Sequence, residues 1–349
     1  MEKPSVMIGM SGGVDSSTAA LLLSREGYAC QGATMQLWGE MDTRDAHAIA
    51  DQLGIPYHVL DLRKEFRELV VDTFQREYEQ GRTPNPCIVC NKTMKFGLML
   101  KKAQQLGCSH VATGHYAKIE KDPETGRYLL KKAGDQTKDQ TYFLYRLSQD
   151  QLAHTLFPLG DLPKTEIRKI AEENHLVTAR KRDSQDICFI PDGDYVAFLR
   201  RYTGKEYPAG NYLDMDGQVL GSHHGAISYT IGQRRGLGIA LGAPAYVVGK
   251  DMTKNTVTLG PNEALMANGL LAGDMNWILP LENESSIRCT GKIRHSQFDQ
   301  PCTLYPQPDG TCKAVFDQPQ RAISPGQAAV FYRGDLVIGG GTILNVLCE

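Results

Sequence analysis

Three cysteines stand where sulfur chemistry could be done. Cys87 and Cys90 lie three positions apart in Arg82-Thr-Pro-Asn-Pro-Cys-Ile-Val-Cys-Asn-Lys-Thr-Met-Lys-Phe96, where a proline-bounded loop gives way to helical text. A thiol at such a junction gains from the helix dipole and from Lys92 and Lys95, which favour the nucleophilic thiolate. Cys188 lies far downstream in Arg182-Asp-Ser-Gln-Asp-Ile-Cys-Phe-Ile190, beside a basic run and among apolar residues. A structural zinc site would need a fourth ligand, and none stands nearby in the sequence. A thioredoxin-like role for Cys87-x-x-Cys90 is disfavoured, because the pair follows a helix instead of opening the first one of a βαβ unit. Cys30, Cys108, Cys289, Cys302, Cys312 and Cys348 are scattered, and each reads as a small buried hydrophobe.

A second constellation, Gly9-Met-Ser-Gly-Gly-Val-Asp-Ser-Ser17, follows an apolar run and opens an amphipathic stretch. The carboxyl end of a strand facing the N-terminus of a helix is where an α/β sheet holds phosphate. Gly12 and Gly13 let the backbone turn sharply and bring N–H groups against an anion. Ser11, Ser16 and Ser17 add hydroxyl donors, and Asp15 could cap the helix or help hold Mg²⁺. No Lys-Ser/Thr follows the glycines, so this is not a Walker-type loop. A third signal, Ala112-Thr-Gly-His-Tyr-Ala117, follows another strand end, where Gly114 could let a nucleotide approach.

The elements that must position these residues alternate along the first half. Strand text at 5–10, 29–37, 57–60 and 110–113 is interleaved with helical text at 16–26, 45–53, 65–80 and 92–106; helical text resumes at 165–174 and 194–202. Such alternation implies a doubly wound, mostly parallel α/β sheet. After about Gly204 glycines, prolines and β-branched residues recur at short intervals, the texture of small barrels or sandwiches. The expected organisation is an α/β domain over 1–204 and two small β-barrel-like domains over 205–273 and 274–349, with 280–286 as a surface connection between β modules.

The phosphate loop resembles the PP-loop of the ATP pyrophosphatase superfamily, whose members cleave ATP between its α and β phosphates and adenylate an oxygen. With Pro-Asn-Pro-x-x-x-Cys-Asn-Lys, Asp-x-x-x-Cys-Phe-Ile, Lys138-Asp-Gln-Thr-Tyr-Phe-Leu144, Ser228-Tyr-Thr-Ile-Gly-Gln-Arg-Arg-Gly-Leu-Gly238 and Ser324-Pro-Gly-Gln327, nearly the whole chain resembles the tRNA-specific 2-thiouridylase family. That resemblance implies 2-thiolation of the wobble uridine, position 34, of tRNAs for Lys, Glu and Gln. It implies ATP contacts at Gly9, Met10, Ser11, Gly12, Gly13, Val14, Asp15, Ser16, Met35 and Gly114. Cys90 would be the nucleophile and Cys188 the carrier of a persulfide. Asn85, Pro86 and Cys87 would approach the target base. His115, Lys138, Asp139, Gln140, Arg294, His295 and Gln327 would touch the tRNA. The C2 oxygen of uracil leaves poorly until adenylated, Mg²⁺ would neutralise the phosphates, and sulfur transfer would leave a Cys90–Cys188 disulfide for a reductant to reopen. The target base must be splayed out to reach the pocket. Part of the family carries aspartate where this chain has Cys87, so Cys87, Cys90 and Cys188 could instead hold a [4Fe-4S] cluster with one iron open to sulfide. Persulfide relay and cluster chemistry both stay open at this level.

Composition bounds the rest. The 349 residues are 41% hydrophobic and 22% charged with a formal net charge of −2, an ordinary globular balance. No apolar run approaches a membrane span, and the N-terminus lacks a basic n-region, so the protein is expected in the cytoplasm with no membrane partner. Nine cysteines without an export signal argue against a disulfide scaffold. RNA binding would need locally concentrated charge. The clusters Arg63-Lys64-Arg67, Arg180-Lys181-Arg182, Arg200-Arg201 and Arg234-Arg235 are each also ordinary solvated surface. A cysteine desulfurase or sulfur-relay protein would have to load Cys188. Two rival functions are another PP-loop enzyme, such as a nucleotide synthetase or 4-thiouridine-type sulfurtransferase, and a non-catalytic RNA- or metal-binding protein. A nucleotide synthetase has no need of two reactive cysteines, the 4-thiouridine type usually carries an RNA-binding domain before its loop, and intact Ser11–Ser16 with both cysteines speaks against a non-catalytic protein.

Overall fold

The computed structural model describes residues 3–181, 187–280 and 285–347; Arg182 and Cys348 lie outside the described residues. Seven strands lie in the first half of the chain: β1 (Ser5–Gly9), β2 (Ala29–Gln36), β3 (Tyr57–Asp61), β4 (His110–Ala112), β5 (Lys118–Lys121), β6 (Tyr128–Lys131) and β7 (Thr155–Leu156). Five of them form a parallel sheet in the order β3-β2-β1-β4-β7. β1 reads as a continuous apolar run because both of its faces are covered. Val6 and Ile8 belong to one core with Leu21, Ile49 and Ala50, whereas Met7 belongs to another with Phe96 and Met99.

The covering helices follow from these alternations. α1 (Val14–Arg25) and α2 (Arg44–Leu53) supply the first layer, α2 ending on Gly54 in the left-handed conformation with φ 64°. On the other side lie α3 (63–79) and α4 (86–105), each a continuous helical stretch interrupted by a π-helical segment, Arg67–Val71 and Asn91–Leu98. The helix expected from residue 92 begins at Pro86 instead, since proline at the first turn loses no hydrogen bond and Asn85 accepts from the Cys87 N–H. α5 (Lys164–Glu173) and α6 (Tyr195–Thr203) complete the α/β domain.

The central domain contains β8 (Gly210–Leu213), β9 (Val219–His223), β10 (Tyr246–Asp251) and β11 (Thr256–Gly260), in the order β10-β11-β8-β9 around Tyr212, Val247, Val257 and Leu259. The last six strands are β12 (Met266–Trp277), β13 (Ile287–Lys292), β14 (Gln300–Pro306), β15 (Cys312–Arg321), β16 (Ala328–Arg333) and β17 (Leu336–Leu347). They close into a barrel through β12–β17 pairing. The division expected between 273 and 274 falls inside β12, which pairs with β15 and β17 from Met266 onward. The stretch 280–286 therefore joins two strands of one barrel, not two modules; residues 281–284 lie outside the described residues. The β5–β6 hairpin leaves the α/β domain and joins the barrel sheet at Lys131↔Leu336. Leu130, Tyr142, Val330 and Tyr332 share one core, so the first and last domains are packed together. Among the described residues no helix is long and apolar enough to cross a membrane.

Candidate active site

The phosphate loop runs from the carboxyl end of β1 into α1. Gly12 takes φ 70°, the left-handed region that a side chain would strain. Gly13 is the N-cap of α1 and supplies no side-chain cap, so the first-turn N–H groups remain available to an anion. The hydroxyls shape the loop: the Ser11 N–H donates to Ser16 Oγ at 3.2 Å, and Ser16 and Ser17 donate to the Gly13 carbonyl at 3.1 and 2.9 Å. Met10 faces the core, 1% exposed, and only its backbone borders the loop, with its N–H bonded to the Ala33 carbonyl at 2.8 Å. Met35 lies near the carboxyl end of the neighbouring β2, half-buried. Gly114 abuts the start of α1 so closely that a Cβ there would sit 2.7 Å from the Asp15 carbonyl carbon and 2.8 Å from the Ser16 nitrogen. Only glycine allows the turn after β4 to meet α1 this way.

Asp15 differs from expectation. It caps nothing; its carboxylate accepts from Lys164 Nζ at 2.7 and 2.8 Å and from the Tyr116 hydroxyl at 2.7 Å. A Mg²⁺ held by Asp15 would share the carboxylate with Lys164 and Tyr116.

The three thiols converge from two segments. Cys87 and Cys90 occupy the first turn of α4, and Cys188 comes within electrostatic reach of both. Cys87 and Cys188 are exposed while Cys90 is buried. The expectation of resting thiolates is corrected. Although Cys87 and Cys188 reach solvent, the protein atoms crowded around their sulfurs desolvate them as they do Cys90, so all three thiols are pushed up, Cys90 to about 12, and Cys90 and Cys188 are each further opposed by a neighbouring sulfur. Lys95 works in the opposite direction at all three, but desolvation outweighs it. Lys92 is itself desolvated, and its pKa is lowered. Among the described residues no group of three His, Cys, Asp or Glu side chains is arranged to hold a metal ion.

Lys95 links the thiols to the phosphate loop. Its Nζ lies 3.4 Å from His115 Nε2, and His115 Nδ1 lies 2.7 Å from Thr113 Oγ1. An ammonium can only donate, so Nε2 accepts and Nδ1 carries the proton given to Thr113. Burial, then Lys95, holds the imidazole well below its ordinary pKa and keeps it neutral. His115 packs between the rings of Phe96 and Phe157, a connecting role that the tRNA contact expected of it did not foresee.

The remaining expected tRNA residues divide. Asp139 is 4% exposed, and its carboxylate is consumed by the Ala133 N–H at 3.1 Å and the Thr141 hydroxyl at 2.6 Å. The side chain therefore faces inward and offers nothing to RNA. Gln140 accepts the Tyr116 N–H at 3.0 Å, steadying the loop after Gly114. Lys138 is half-buried on the same segment. Arg294, His295 and Gln327 come together with Thr83, Thr230 and Ser324 around a cavity of about 310 Å³ to which all three domains contribute. Arg294 donates to the Ala322 carbonyl and Ser324 Oγ, and Gln327 donates to the Thr83 carbonyl at 2.8 Å. Sequence reasoning missed Lys164, which stands in none of the motifs singled out, and passed over Thr83, Tyr116 and Thr230, which stand inside them beside residues that drew the attention.

The sequence matches three family models: a tRNA methyl transferase HUP domain over residues 4–192, a tRNA methyl transferase PRC-barrel domain over 196–261 and an aminomethyltransferase beta-barrel domain over 267–343. The tRNA-specific 2-thiouridylase MnmA of Clostridioides difficile (strain 630) is 49% identical over 97% of this chain and 97% of that protein. The proteins of the same name from Acetivibrio thermocellus and Geotalea uraniireducens (strain Rf4) are each 48% identical, over 98% and 97% of this chain and 100% and 94% of theirs. By this similarity along nearly its whole length, the chain belongs to the tRNA-specific 2-thiouridylase family.

Proposed function

We propose that this protein is a cytoplasmic tRNA-uridine 2-sulfurtransferase that uses ATP to replace the C2 oxygen of the wobble uridine with sulfur. The observation that carries the reading is the continuous path from thiols to phosphate loop: Cys87, Cys90 and Cys188 beside Lys95, Lys95 on His115, and His115 next to the glycine seated on α1. An enzyme that must adenylate an oxygen and then deliver sulfur to the same carbon needs these two sites adjoining.

In the first step the C2 oxygen attacks the α-phosphate of ATP, pyrophosphate leaves, and the loop's N–H groups and the α1 dipole bind the phosphate charge. In the second step the terminal sulfur of a Cys188 persulfide attacks C2 and AMP departs with the oxygen. The Cys90 thiolate then attacks the Cys188 sulfur, releasing the 2-thio group and closing a Cys90–Cys188 disulfide. An external thiol reopens it. A persulfide donor must load Cys188 before each turnover, and its exposed position suits delivery by a partner protein. Asn85, Pro86 and Cys87 at the rim of α4 would receive the flipped base. The cavity bearing Arg294, His295 and Gln327 would take tRNA backbone or base edges of the Lys, Glu and Gln acceptors, through donors already oriented by packing.

The test is single-turnover thiolation of a wobble-uridine tRNA by enzyme preloaded with persulfide. Pyrophosphate, AMP and 2-thiouridine should appear in equal amounts. Thiolation without ATP, or pyrophosphate release that does not depend on tRNA, would sink the reading.

A further inference from the structure

Three arginines from separate segments meet where the central domain touches the last barrel. Arg294, in the loop between β13 and β14, donates through Nη2 to the Ile231 and Ala322 carbonyls at 3.3 and 2.9 Å. Arg321, the last residue of β15, donates to Asn262 Oδ1 at 2.8 Å and to the Gly232 carbonyl at 3.5 Å. Arg321 Nη1 and Arg294 Nη2 lie 3.6 and 3.7 Å from the point where a Cβ on Gly232 would stand. The Arg321 guanidinium lies 5.0 Å from the Tyr246 ring centre, and that of Arg234 lies 6.0 Å from the same centre. Arg294 lines the three-domain cavity, and Arg234 borders a second cavity of about 490 Å³ formed with residues of the 236–245 loop. Among the described residues no carboxylate lies within ion-pair distance of any of the three; the acceptors they meet are carbonyls, an amide and a hydroxyl. Like charges gathered this way repel, and Arg321 adds to burial in holding the Arg294 pKa below its ordinary value. The neutral contacts dock the central domain on the barrel and explain part of Arg294 and Arg321. They do not explain Arg234, which is exposed and lies on a ring that already has one cation.

We propose that Arg234 and Arg321, gathered on Tyr246, bind a phosphate of the tRNA backbone and carry the RNA contact from the Arg294 cavity across the seam between the two β domains. The inference rests on the tRNA reading above and adds to it two residues and the group they hold. Arg321 spends Nε and Nη2 on Asn262 and Gly232, which leaves Nη1 for an anionic oxygen. A guanidinium stacked on an aromatic ring keeps its charge and its planar fork of donors, the form suited to phosphate. A chain with a formal net charge of −2 must gather positive charge locally to hold a polyanion. Three arginines without carboxylate partners are such a gathering.

The experiment is equilibrium binding of an unmodified wobble-uridine tRNA transcript to wild type, Arg234→Met, Arg234→Lys and Arg321→Met, repeated from about 0.05 to about 0.3 M salt. Arg234→Met and Arg321→Met should each bind about fivefold or more weakly at the lowest salt, and each should lower the slope of log affinity against log salt by about one. Arg234→Lys keeps the charge and should keep the wild-type slope. Melting temperatures show whether Arg321→Met has undocked the domains. Where it has, Arg234→Met decides, because that side chain is exposed. A wild-type slope and affinity in Arg234→Met would overturn the proposal. Weakened binding with an unchanged slope would overturn it too, since the cluster would then be a domain clasp that meets no phosphate. Wild type with no affinity for the transcript would overturn the tRNA reading itself, a result distinct from a defect confined to the variants.

Discussion

Lys95 Nζ lies 3.4 Å from His115 Nε2, and the residue before that histidine, Gly114, rests on the first turn of α1. One side chain and one glycine therefore separate the sulfur site from the phosphate site. Because the histidine is buried and neutral, it can accept from Lys95 without adding a second cation beside the thiols. The lysine's charge is left directed toward sulfur.

Lys95→Met should make the thiols harder to ionise. Burial pushes Cys90 up to about 12, and Lys95 is the charge that opposes this. A raised pKa leaves less thiolate at neutral pH, and removing the cation moves it further in that direction. Alkylation of the protein by iodoacetamide at pH 8 should slow by up to about tenfold, in proportion to the thiolate lost. Its rate should keep climbing with pH beyond the point where wild type levels off. Unchanged alkylation rates across pH 7–10 would show that Lys95 does not govern these sulfurs.

Cys90→Ser and Cys188→Ser should each abolish 2-thiouridine formation while leaving ATP and tRNA binding intact. Cys87→Ser should retain thiolation from a persulfide donor, because the relay runs through Cys90 and Cys188 alone. Iron and acid-labile sulfide measured after anaerobic purification separate the two chemistries. Stoichiometric iron and sulfide in wild type, lost in Cys87→Ser, would replace the relay with a cluster.

Gly114→Ala would place a methyl group 2.7 Å from the backbone of Asp15. The neighbour is main chain and cannot rotate away, so the turn after β4 and the start of α1 must separate. Overpacking of this kind costs about 1–3 kcal/mol. The displaced first turn should weaken ATP binding while leaving tRNA binding near its normal value. A nucleotide affinity equal to that of wild type would show that the close approach is incidental to the phosphate loop.

The parallel sheet, the phosphate loop and the cysteine helix were legible because each writes a local pattern: apolar runs in β1 and β2, glycines where φ turns positive, Asn-Pro before a helix. What escaped is long-range. β12 crosses the expected boundary because a strand looks the same to its own residues whichever sheet it joins, and only β15 and β17 decide. The β5–β6 hairpin joins the barrel for the same reason. Thiolate character was inferred from Lys92 and Lys95 nearby in sequence, whereas burial by residues from distant segments reverses the balance. Lys164 had no motif around it and became visible only beside Asp15.

Asp139→Ala should act on stability, not on RNA. The carboxylate accepts from the Ala133 N–H and the Thr141 hydroxyl inside the shared core of the first and last domains. Its loss leaves the buried Ala133 N–H unsatisfied, a cost of about 1–3 kcal/mol, while the Thr141 hydroxyl keeps Tyr332 Oη at 3.4 Å. Denaturant midpoints should fall, while tRNA affinity measured well below the melting temperature should hold. A variant of normal stability with weakened tRNA binding would return Asp139 to the RNA interface.

Acid should destabilise this protein before its carboxylates begin to titrate. His110, His115, His223 and His295 are all held below the ordinary imidazole value of 6.5, in each case chiefly by burial. The unfolded chain therefore takes up these protons first as pH falls. The stability carried by the neutral imidazoles is fully present above 6.5 and is lost as pH drops below it, until each group is protonated in the folded chain too. Guanidinium midpoints measured at pH 7.5, 6.5, 5.5 and 5.0 should decline in that order. His115→Gln, which keeps a polar group but cannot gain a proton, should flatten part of the decline. A wild-type profile unchanged across this window would show that the four histidines are hydrated well enough to titrate as in the unfolded chain.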